Sequence, residues 1–466
     1  MQTHPIVHEK KVSPEYRVLL WLAALGFFMQ ALDATIVNTA LPNMAQSLNV
    51  DPLKMHNVVI SYVLAVAALI PISGWLADRF GLKVVYLAAI IVFTAASLWC
   101  ALSQTYTQLI IGRILQGIGG AFLLPVSRLA LLRILPRNQF LAAMSFISIP
   151  GLIGPMIGPT LGGIMVEYAT WHWIFLINLP MGIVGVIFTC SHMPNLKLEQ
   201  LPAFDYVGFI LLIMMMIGLT LGIEGFSQGS WSTTLCLSLL GMAIGALIIY
   251  FKHAQKDQKA LFRADLFQDL RFKIGIWGNI LTRMGSAAMP FITPLTLQLA
   301  LGFSPLQAGL MMIPLVVGSI FVKNFATRLI QRYGYYHVLV SNTVLVGLGI
   351  MSFGFFDLHP NLYTQSLHLF LFGCVNSMQF TAMNTLTLKD LSKEQAANGN
   401  SLLSIVINVC TSVAVALVGV LLHYFGQINA NAQTNLFWSF QNSYFVLGAF
   451  TIMATLVFRQ LKQFHV

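Results

Sequence analysis

The sequence predicts an all-α membrane protein. Fourteen transmembrane helices are expected, as two six-helix bundles plus two additional helices, with both termini cytoplasmic. Three observations carry that prediction. The 466 residues are 57% hydrophobic and only 9% charged, against about 25% charged in an ordinary soluble domain, and the mean hydropathy is +0.78. Apolar stretches close to the length needed to cross a bilayer, about 20 residues, recur fourteen times. The basic residues fall in alternate loops between those stretches, as the positive-inside rule requires.

Taken in order, the first 17 residues are polar and carry no cleavable signal pattern, and the span that follows, 18–40, is too long for a signal h-region. Further spans are expected near 57–77, 84–103, 107–127, 141–166, 172–192, 206–226, 232–251, 274–299, 305–325, 337–356, 364–386, 397–422 and 440–458. With both termini inside, 22 of the 25 Lys and Arg residues fall in inner loops. Lys54 lies outside, and Arg113 and Arg283 lie within spans. One missed or invented span would invert every later loop and spoil this pattern. The stretch Gly74-Trp75-Leu76-Ala77-Asp78-Arg79-Phe80-Gly81 after the second span is weakly repeated by Thr327-Arg328-Leu329-Ile330-Gln331-Arg332-Tyr333-Gly334 after the tenth. Duplicated halves explain that spacing, and duplicated halves with a site near the midplane are a common build of secondary transporters. The expected division is an N-terminal six-helix bundle over 1–195, a two-helix insert and linker over 196–262, and a C-terminal six-helix bundle over 263–466.

Composition also excludes function classes. A formal charge of +10 in a soluble chain would suggest nucleic acid. Here it follows from topology, with some attraction to anionic lipid headgroups, and no nucleic-acid partner is implied. The five cysteines all lie in apolar segments without CxxC spacing, so neither a disulfide framework nor a metal site is indicated. No Walker, HExxH or GxSxG motif is present, and Gly162-Gly163 lies inside a span rather than in a phosphate loop. No catalytic residue and no cofactor is expected. An ion gradient is the energy source that such a chain would use.

The first span contains one carboxylate, Asp33, and the fourth contains Arg113. A charge at helix centre in a bilayer costs about 2.5–3.5 kcal/mol on insertion scales, and intramembrane ionisable residues are functional by default. At 1.5 Å per residue, Asp33 lies roughly 10 Å below the outer end of its span and Arg113 roughly 9 Å below the outer end of its own. Equal depth makes them candidate partners for proton coupling, without deciding which way either side chain points. The alternative is a structural ion pair. Glycines around Arg113 (Gly112, Gly117, Gly119, Gly120) permit close helix approach.

Three further stretches are informative. Gly74, Asp78, Arg79 and Gly81 belong to a short basic turn on the inner side, in which Asp78 is expected to accept from a helix N-terminus. In the fifth span Gly151, Gly154, Gly158 and Gly162 recur at three- and four-residue steps, with Pro155 and Pro159 between them. Small-xxx-small faces let helices pack closely, prolines bend them, and this face is expected to meet the other half and move against it. Trp171-His172-Trp173-Ile174-Phe175-Leu176-Ile177-Asn178-Leu179-Pro180 opens the sixth span, its tryptophans suiting an interfacial belt.

The Gly74–Lys83 loop matches a loop signature of the major facilitator superfamily, apart from Leu82 where a basic residue is usual. The fifth span resembles the glycine–proline signature of that superfamily's antiporters. Together with Leu32–Pro42, Trp171–Pro180 and Leu301-Gly302-Phe303-Ser304-Pro305-Leu306-Gln307-Ala308-Gly309, these stretches resemble the fourteen-helix drug:proton antiporter branch over essentially the whole chain. The resemblance implies the major facilitator fold, alternating access, export of small amphipathic compounds or drugs in exchange for protons, and a place in a bacterial cytoplasmic (inner) membrane. It implies proton-motive force in place of a cofactor. Expected partners are the small-molecule substrate, protons and membrane lipids. The chain is expected to act as a monomer, with a periplasmic adaptor left open.

Candidate substrate-cavity residues are Gln30, Gln116, Arg283, Asn376, Gln379 and Asn408. Asn376, Gln379 and Met383 share one helical face, as do Asn400, Ser404 and Asn408. These amides either line a cavity or bond helices together. Arg283 either faces the cavity or snorkels inward. Glu167 and Glu224 are expected in solvent near outer helix ends, and Met214-Met215-Met216 toward lipid. Two other functions fit the sequence: export of an endogenous metabolite, and a non-transporting membrane sensor or scaffold with the same fold.

Overall fold

A computed structural model describes residues 13–198, 203–228, 231–257, 260–262, 264–355, 361–391, 393–428 and 432–464. Among these residues the regular structure is helical throughout. The α-helices are α1 Arg17–Ile36, α2 Leu41–Ser47, α3 His56–Leu69, α4 Ser73–Phe80, α5 Leu82–Ala101, α6 Tyr106–Ile134, α7 Arg137–Tyr168, α8 Trp173–Leu176 and α9 Asn178–His192. Then come α10 Tyr206–Gln228, α11 Thr233–Lys256, α12 Leu270–Ser286, α13 Met289–Leu299, α14 Pro305–Met311, α15 Ile313–Ser352, α16 Leu362–Leu388, α17 Lys393–Ile428 and α18 Ala432–Phe458.

Among the described residues, 11 helical stretches are both long and apolar enough to cross a membrane. The three other expected spans are also helical. The span 141–166 falls on α7, 364–386 falls on α16, and 274–299 is divided between α12 and α13. In the last case a break at Ala287–Ala288 leaves each piece shorter than a bilayer crossing.

Backbone chemistry explains where the long helices bend or end. Pro71 sits in the 3-10 turn Ile70–Ile72 that joins α3 to α4, because proline cannot supply the helical N–H. Gly81 ends α4 with φ +96° and ψ 147°. Gly334 breaks the long α15 with φ +74° and ψ 162°. These two glycines close the two copies of the weak repeat, and they adopt nearly the same left-handed conformation, which side chains rarely tolerate. A tight reversal at equivalent places is therefore what the repeat encodes.

The packing falls into two groups of helices. In the first, α1 packs on α7, α6 and α9, while α6 packs on α3 and α5. In the second, α15 packs on α16 and α18, and α12 on α16, α17 and α18. The groups meet along α3–α17 and α7–α14. The pair α10–α11 stands beside the first seam, with α10 against both α17 and α3; Met216 is wholly buried there while Met214 is exposed. The methionine run is thus part packing and part outer surface.

Hydrogen bonds between the groups gather at the end of the molecule where α1 finishes, here called the far end. Asn38 Nδ2 donates to the Pro290 carbonyl at 3.0 Å, Gln298 Nε2 to the Thr39 carbonyl at 2.9 Å, and Thr160 Oγ1 to the Gly309 carbonyl at 3.2 Å. At the opposite, near end, the ion pairs Arg133–Asp78 and Arg271–Asp390 each stay within one group. Asp78 therefore pairs with Arg133 across α4 and α6, 2.5 Å apart, rather than serving a helix N-terminus. Its main-chain carbonyl accepts from Leu198, and the chain after α9 folds back over the Gly81 turn. Arg79 lies over the Trp75 ring at 5.0 Å. Gly74 has open space beside it.

Candidate functional site

Asp33 and Arg113 meet. Arg113 on α6 donates to Asp33 Oδ2 at 2.6 Å, with Asp33 wholly buried and Arg113 1% exposed. The second carboxylate oxygen, Oδ1, accepts from Gln116 Nε2 at 2.7 Å and from Asn178 Nδ2 at 3.2 Å. Ser97 Oγ accepts from the same two amides, at 2.9 and 3.3 Å, and donates to the Phe93 carbonyl at 2.8 Å. Arg113 also donates to Gln116 Oε1 at 2.7 Å and, through Nε, to the Val58 carbonyl at 3.1 Å. Its guanidinium lies 4.2 Å from the centre of the Tyr62 ring.

Local sequence makes this approach possible. Gln116 follows Arg113 by three residues, so both side chains lie on one helical face. A Cβ on Gly117 would fall 2.6 Å from the Tyr62 carbonyl oxygen, and one on Gly119 2.5 Å from Phe93 N. Both glycines thus bring α6 against α3 and α5. The result is one carboxylate held by three donors from α6 and α9, inside one helix group. A charge-assisted network of this kind is strong in a low-dielectric site. Neutralising Asp33 would leave Arg113 as an uncompensated buried cation, and such a loss costs about 3–5 kcal/mol. The arrangement ties α1 to α6 and α9 through a single carboxylate.

Gln116 thus belongs to the charge network and not to a cavity wall. Sequence reasoning missed Asn178, Ser97 and Tyr62. Asn178 was visible as an amide within an apolar string; Ser97 had no distinguishing spacing.

The α7 glycines face differently from expectation. Cβ atoms on Gly154, Gly158 and Gly162 would strike Leu32 N, Thr35 Oγ1 and the Ile36 carbonyl. This face therefore packs on α1 of the same group. The neighbouring face makes the contact between groups: a Cβ on Gly163 would meet the Pro305 carbonyl at 2.5 Å, and one on Gly309 would strike the Pro159 carbonyl. One residue along a helix turns the side chain by about 100°, which is why the two faces serve different partners. Gly151 lies on α7 but outside the residues whose side-chain surroundings are described. Pro155 and Pro159 line a cavity of about 190 Å³ together with Thr35, Asn38, Pro290 and Lys323.

The other cavity candidates divide. Gln30 is half-buried, and its Oε1 has no hydrogen-bond partner. Asn376 is half-buried with an unpartnered Oδ1. Gln379 is fully buried and committed: its Oε1 accepts from Asn342 at 2.9 Å and its Nε2 donates to Thr343 at 2.7 Å. It ties α16 to α15. Asn408 and Ser404 are half-buried and bond back to carbonyls of their own helix. Arg283 is 7% exposed, with Nε bonded to Asn279 Oδ1 at 3.1 Å and the guanidinium 4.2 Å over the Phe380 ring. It faces inward between helices and does not snorkel.

Glu224 is not in solvent. It is 1% exposed on α10, and its carboxylate lies 2.5 Å from Nε2 of His56, which is 2% exposed. Trp171 is also buried, stacked on His172 with ring centres 3.8 Å apart, whereas Trp173 is exposed as a belt residue would be. Glu167 is exposed.

Comparison with known proteins agrees with this architecture. The family model described as Major Facilitator Superfamily matches residues 23–204 and 274–463. The chain is 48% identical over 415 residues to the "Putative multidrug resistance protein MdtD" of Pectobacterium atrosepticum, covering 89% of each. To the protein of the same name from Klebsiella pneumoniae strain 342 it is 46% identical over 443 residues, covering 95% of this chain and 94% of that one. Among solved structures, the POT family transporter PepTSo superposes with a TM-score of 0.73 at 13% identity, over 98% and 99% of the two chains. The xylose transporter XylE from E. coli, in a partially occluded inward-open conformation, gives 0.63 at 13% identity over 97% and 98%. At such identities these two establish the shared fold alone. The relatives are multi-pass membrane transporters and not enzymes, and this chain belongs to the major facilitator superfamily.

Proposed function

We propose that the protein is a proton-coupled antiporter that exports small amphipathic compounds across a bacterial inner membrane by alternating access. The observation that carries this reading is the Asp33–Arg113 pair with its Gln116 and Asn178 donors, a titratable carboxylate buried in an apolar span and held wholly within one helix group. A scaffold has no use for such a group. The multidrug-resistance name of relatives at 46–48% identity supports the substrate class.

In this reading the fourteen expected spans all cross the bilayer, both termini are cytoplasmic, and the far end is periplasmic. The divisions 1–195, 196–262 and 263–466 are supported by the gap between the two matched family segments, 23–204 and 274–463. The far-end bonds between the groups then correspond to an inward-facing state. Protonation of Asp33 from the periplasmic side weakens its hold on Arg113, and α1 shifts against α6 and α9. That shift passes through the Gly154–Gly158–Gly162 face to α7, and from α7 through Gly163 and Pro159 to α14. Because Asp33 is sealed from the cavity, proton and substrate compete through the conformational equilibrium and not for one atom. One proton supplies about 2.3 kcal/mol per 100 mV, enough for more than a tenfold substrate gradient per 100 mV at about 1.4 kcal/mol per decade. No cofactor is required, and the transporting unit is a monomer.

The test is transport by proteoliposomes under an imposed pH gradient, with an amphipathic dye and an internal pH indicator followed together. Asp33→Asn is expected to reduce gradient-driven dye movement and coupled proton flux more than tenfold per folded molecule, with a lowered melting midpoint because Arg113 stays buried without its counter-ion. Undiminished proton-coupled transport in that variant would overturn the reading.

A further inference from the structure

Arg283 is a buried cation that no carboxylate answers among the described residues. It lies thirteen residues into α12, roughly 20 Å from the near end at 1.5 Å per residue. Among the described residues the buried or bridging acids are committed elsewhere. Asp33 holds Arg113, Asp78 holds Arg133, Asp205 holds His253, Glu224 holds His56 and Asp390 holds Arg271. Asp51 and Asp269 cap helix N-termini. The described partners of Arg283 are neutral: the Asn279 amide oxygen and the face of Phe380. Desolvating a guanidinium costs several kcal/mol unless a counter-ion and further hydrogen bonds offset it, and one amide bond supplies little of that.

The surroundings suit a ligand. Asn376 and Asn384 stand one turn to either side of Phe380 on α16, and each has a buried side-chain oxygen without a hydrogen-bond partner. Toward the near end two more cations lack an acidic partner among the described residues. Arg128 on α6 has a buried Nε with no partner, and Lys323 on α15 lines the 190 Å³ cavity at the seam. The Asp33–Arg113 and His56–Glu224 pairs each set a carboxylate against a basic partner. Among the described residues, the three cations named from the near end to mid-depth, buried Arg283, half-buried Arg128 and exposed Lys323, thus share one sign without an acidic partner.

We propose that Arg283 is the counter-ion of an organic-anion site, and that the protein's substrates include carboxylates with a flat apolar body. The guanidinium fork matches a carboxylate with two parallel N–H···O bonds. Phe380 supplies an apolar wall for the body of the molecule, and the Asn376 and Asn384 amides fix its polar edge. Arg128 and Lys323 draw the anion in from the near end. This deepens the transporter reading and rests on it for the direction of movement, but binding at Arg283 is measurable without transport.

Fluorescein and rhodamine 123 share a xanthene body and differ in charge, so they serve as matched anionic and cationic probes. Binding to the purified full-length protein is read by fluorescence polarisation. The expected result is at least tenfold tighter binding of fluorescein than of rhodamine 123. Arg283→Gln should weaken fluorescein binding at least tenfold, Arg283→Lys should retain part of it, and rhodamine binding should be unchanged or stronger in both. Equal affinity for the two dyes, or fluorescein binding unaffected by Arg283→Gln in a protein that melts as the parent does, overturns the proposal. If Arg283→Gln does not fold, Phe380→Leu replaces it, with the same loss expected and the same result overturning. Gradient-driven transport of rhodamine alone would remove the anion site and leave the antiporter reading standing. Arg283-dependent fluorescein binding without proton-coupled transport would do the reverse.

Discussion

His56 Nε2 lies 2.5 Å from Glu224 Oε2, and this buried pair joins the start of α3 to α10 at the far end. Beside it a Cβ on Gly419 of α17 would fall 2.8 Å from the His56 ring. Helices from both groups and from the α10–α11 pair thus converge on one imidazole. The pair gives α10 a polar anchor in a seam otherwise filled by apolar side chains such as Met216, Val409 and Val413.

Glu224→Ala removes a charged hydrogen bond from a site closed to water, a change worth about 1.5–3 kcal/mol. A melting midpoint lowered accordingly in detergent is the expected outcome, together with greater protease access to the loops that flank α10. An unchanged midpoint would show that the pair does not anchor α10.

The Asp33–Arg113 pair should behave as a unit in a double-mutant cycle. Arg113→Gln leaves a buried carboxylate without its cation and is expected to destabilise by about 3–5 kcal/mol. Combining it with Asp33→Asn should recover more than half of that loss, since both charges are then gone, yet leave coupled transport absent. Additive losses in the double variant would mean that the two residues act separately.

Gly158 and Gly309 should fail in different ways. Gly158→Leu forces bulk between α7 and α1 at Thr35, so a loss of about 1–3 kcal/mol in stability is expected along with impaired transport. Gly309→Leu pushes against the Pro159 carbonyl at the seam between groups. It should melt closer to the parent but fail to close the far end. Labelling of a cysteine at Asn38 by a membrane-impermeant maleimide should then rise. Equal labelling in the parent and Gly309→Leu would remove the seam contact from the closing mechanism.

Gly81 has φ +96°, and a Cβ there would strike Asn195. Gly81→Ala is therefore expected to destabilise by about 1–2 kcal/mol through the left-handed backbone, beyond any packing loss. Gly74→Ala, with open space around it, should be close to neutral. Measuring both in one melting series separates backbone strain from loop composition.

Much of this architecture was legible before any coordinates, and particular residues show why. Asp33 and Arg113 could be matched because depth along a helix is counted at a fixed rise per residue. The reversal at Gly81 and its copy at Gly334 could be matched because the loop pattern repeats. Gln379 and Asn376 could not be told apart, although they lie three residues apart on one helix, because one amide meets Asn342 and Thr343 while the Oδ1 of the other finds no hydrogen-bond partner among the described residues. Nor could Glu224, which reads as an outer-end acid and is instead enclosed by α3 and α17.

The sequence by itself determined the helical membrane class, the positions of most long apolar helices and the two charges at matched depth. Hydropathy and loop charge are local sums, and one chain suffices to evaluate them. Only the tertiary structure decided the azimuth of each helix. Azimuth settles that the Gly154–Gly158–Gly162 face packs on α1 while Gly163 meets the other group, that Asn178 completes the hold on Asp33, and that Arg283 has no carboxylate opposite among the described residues. It is set by packing between helices distant in the chain, a property of pairs that no single span contains.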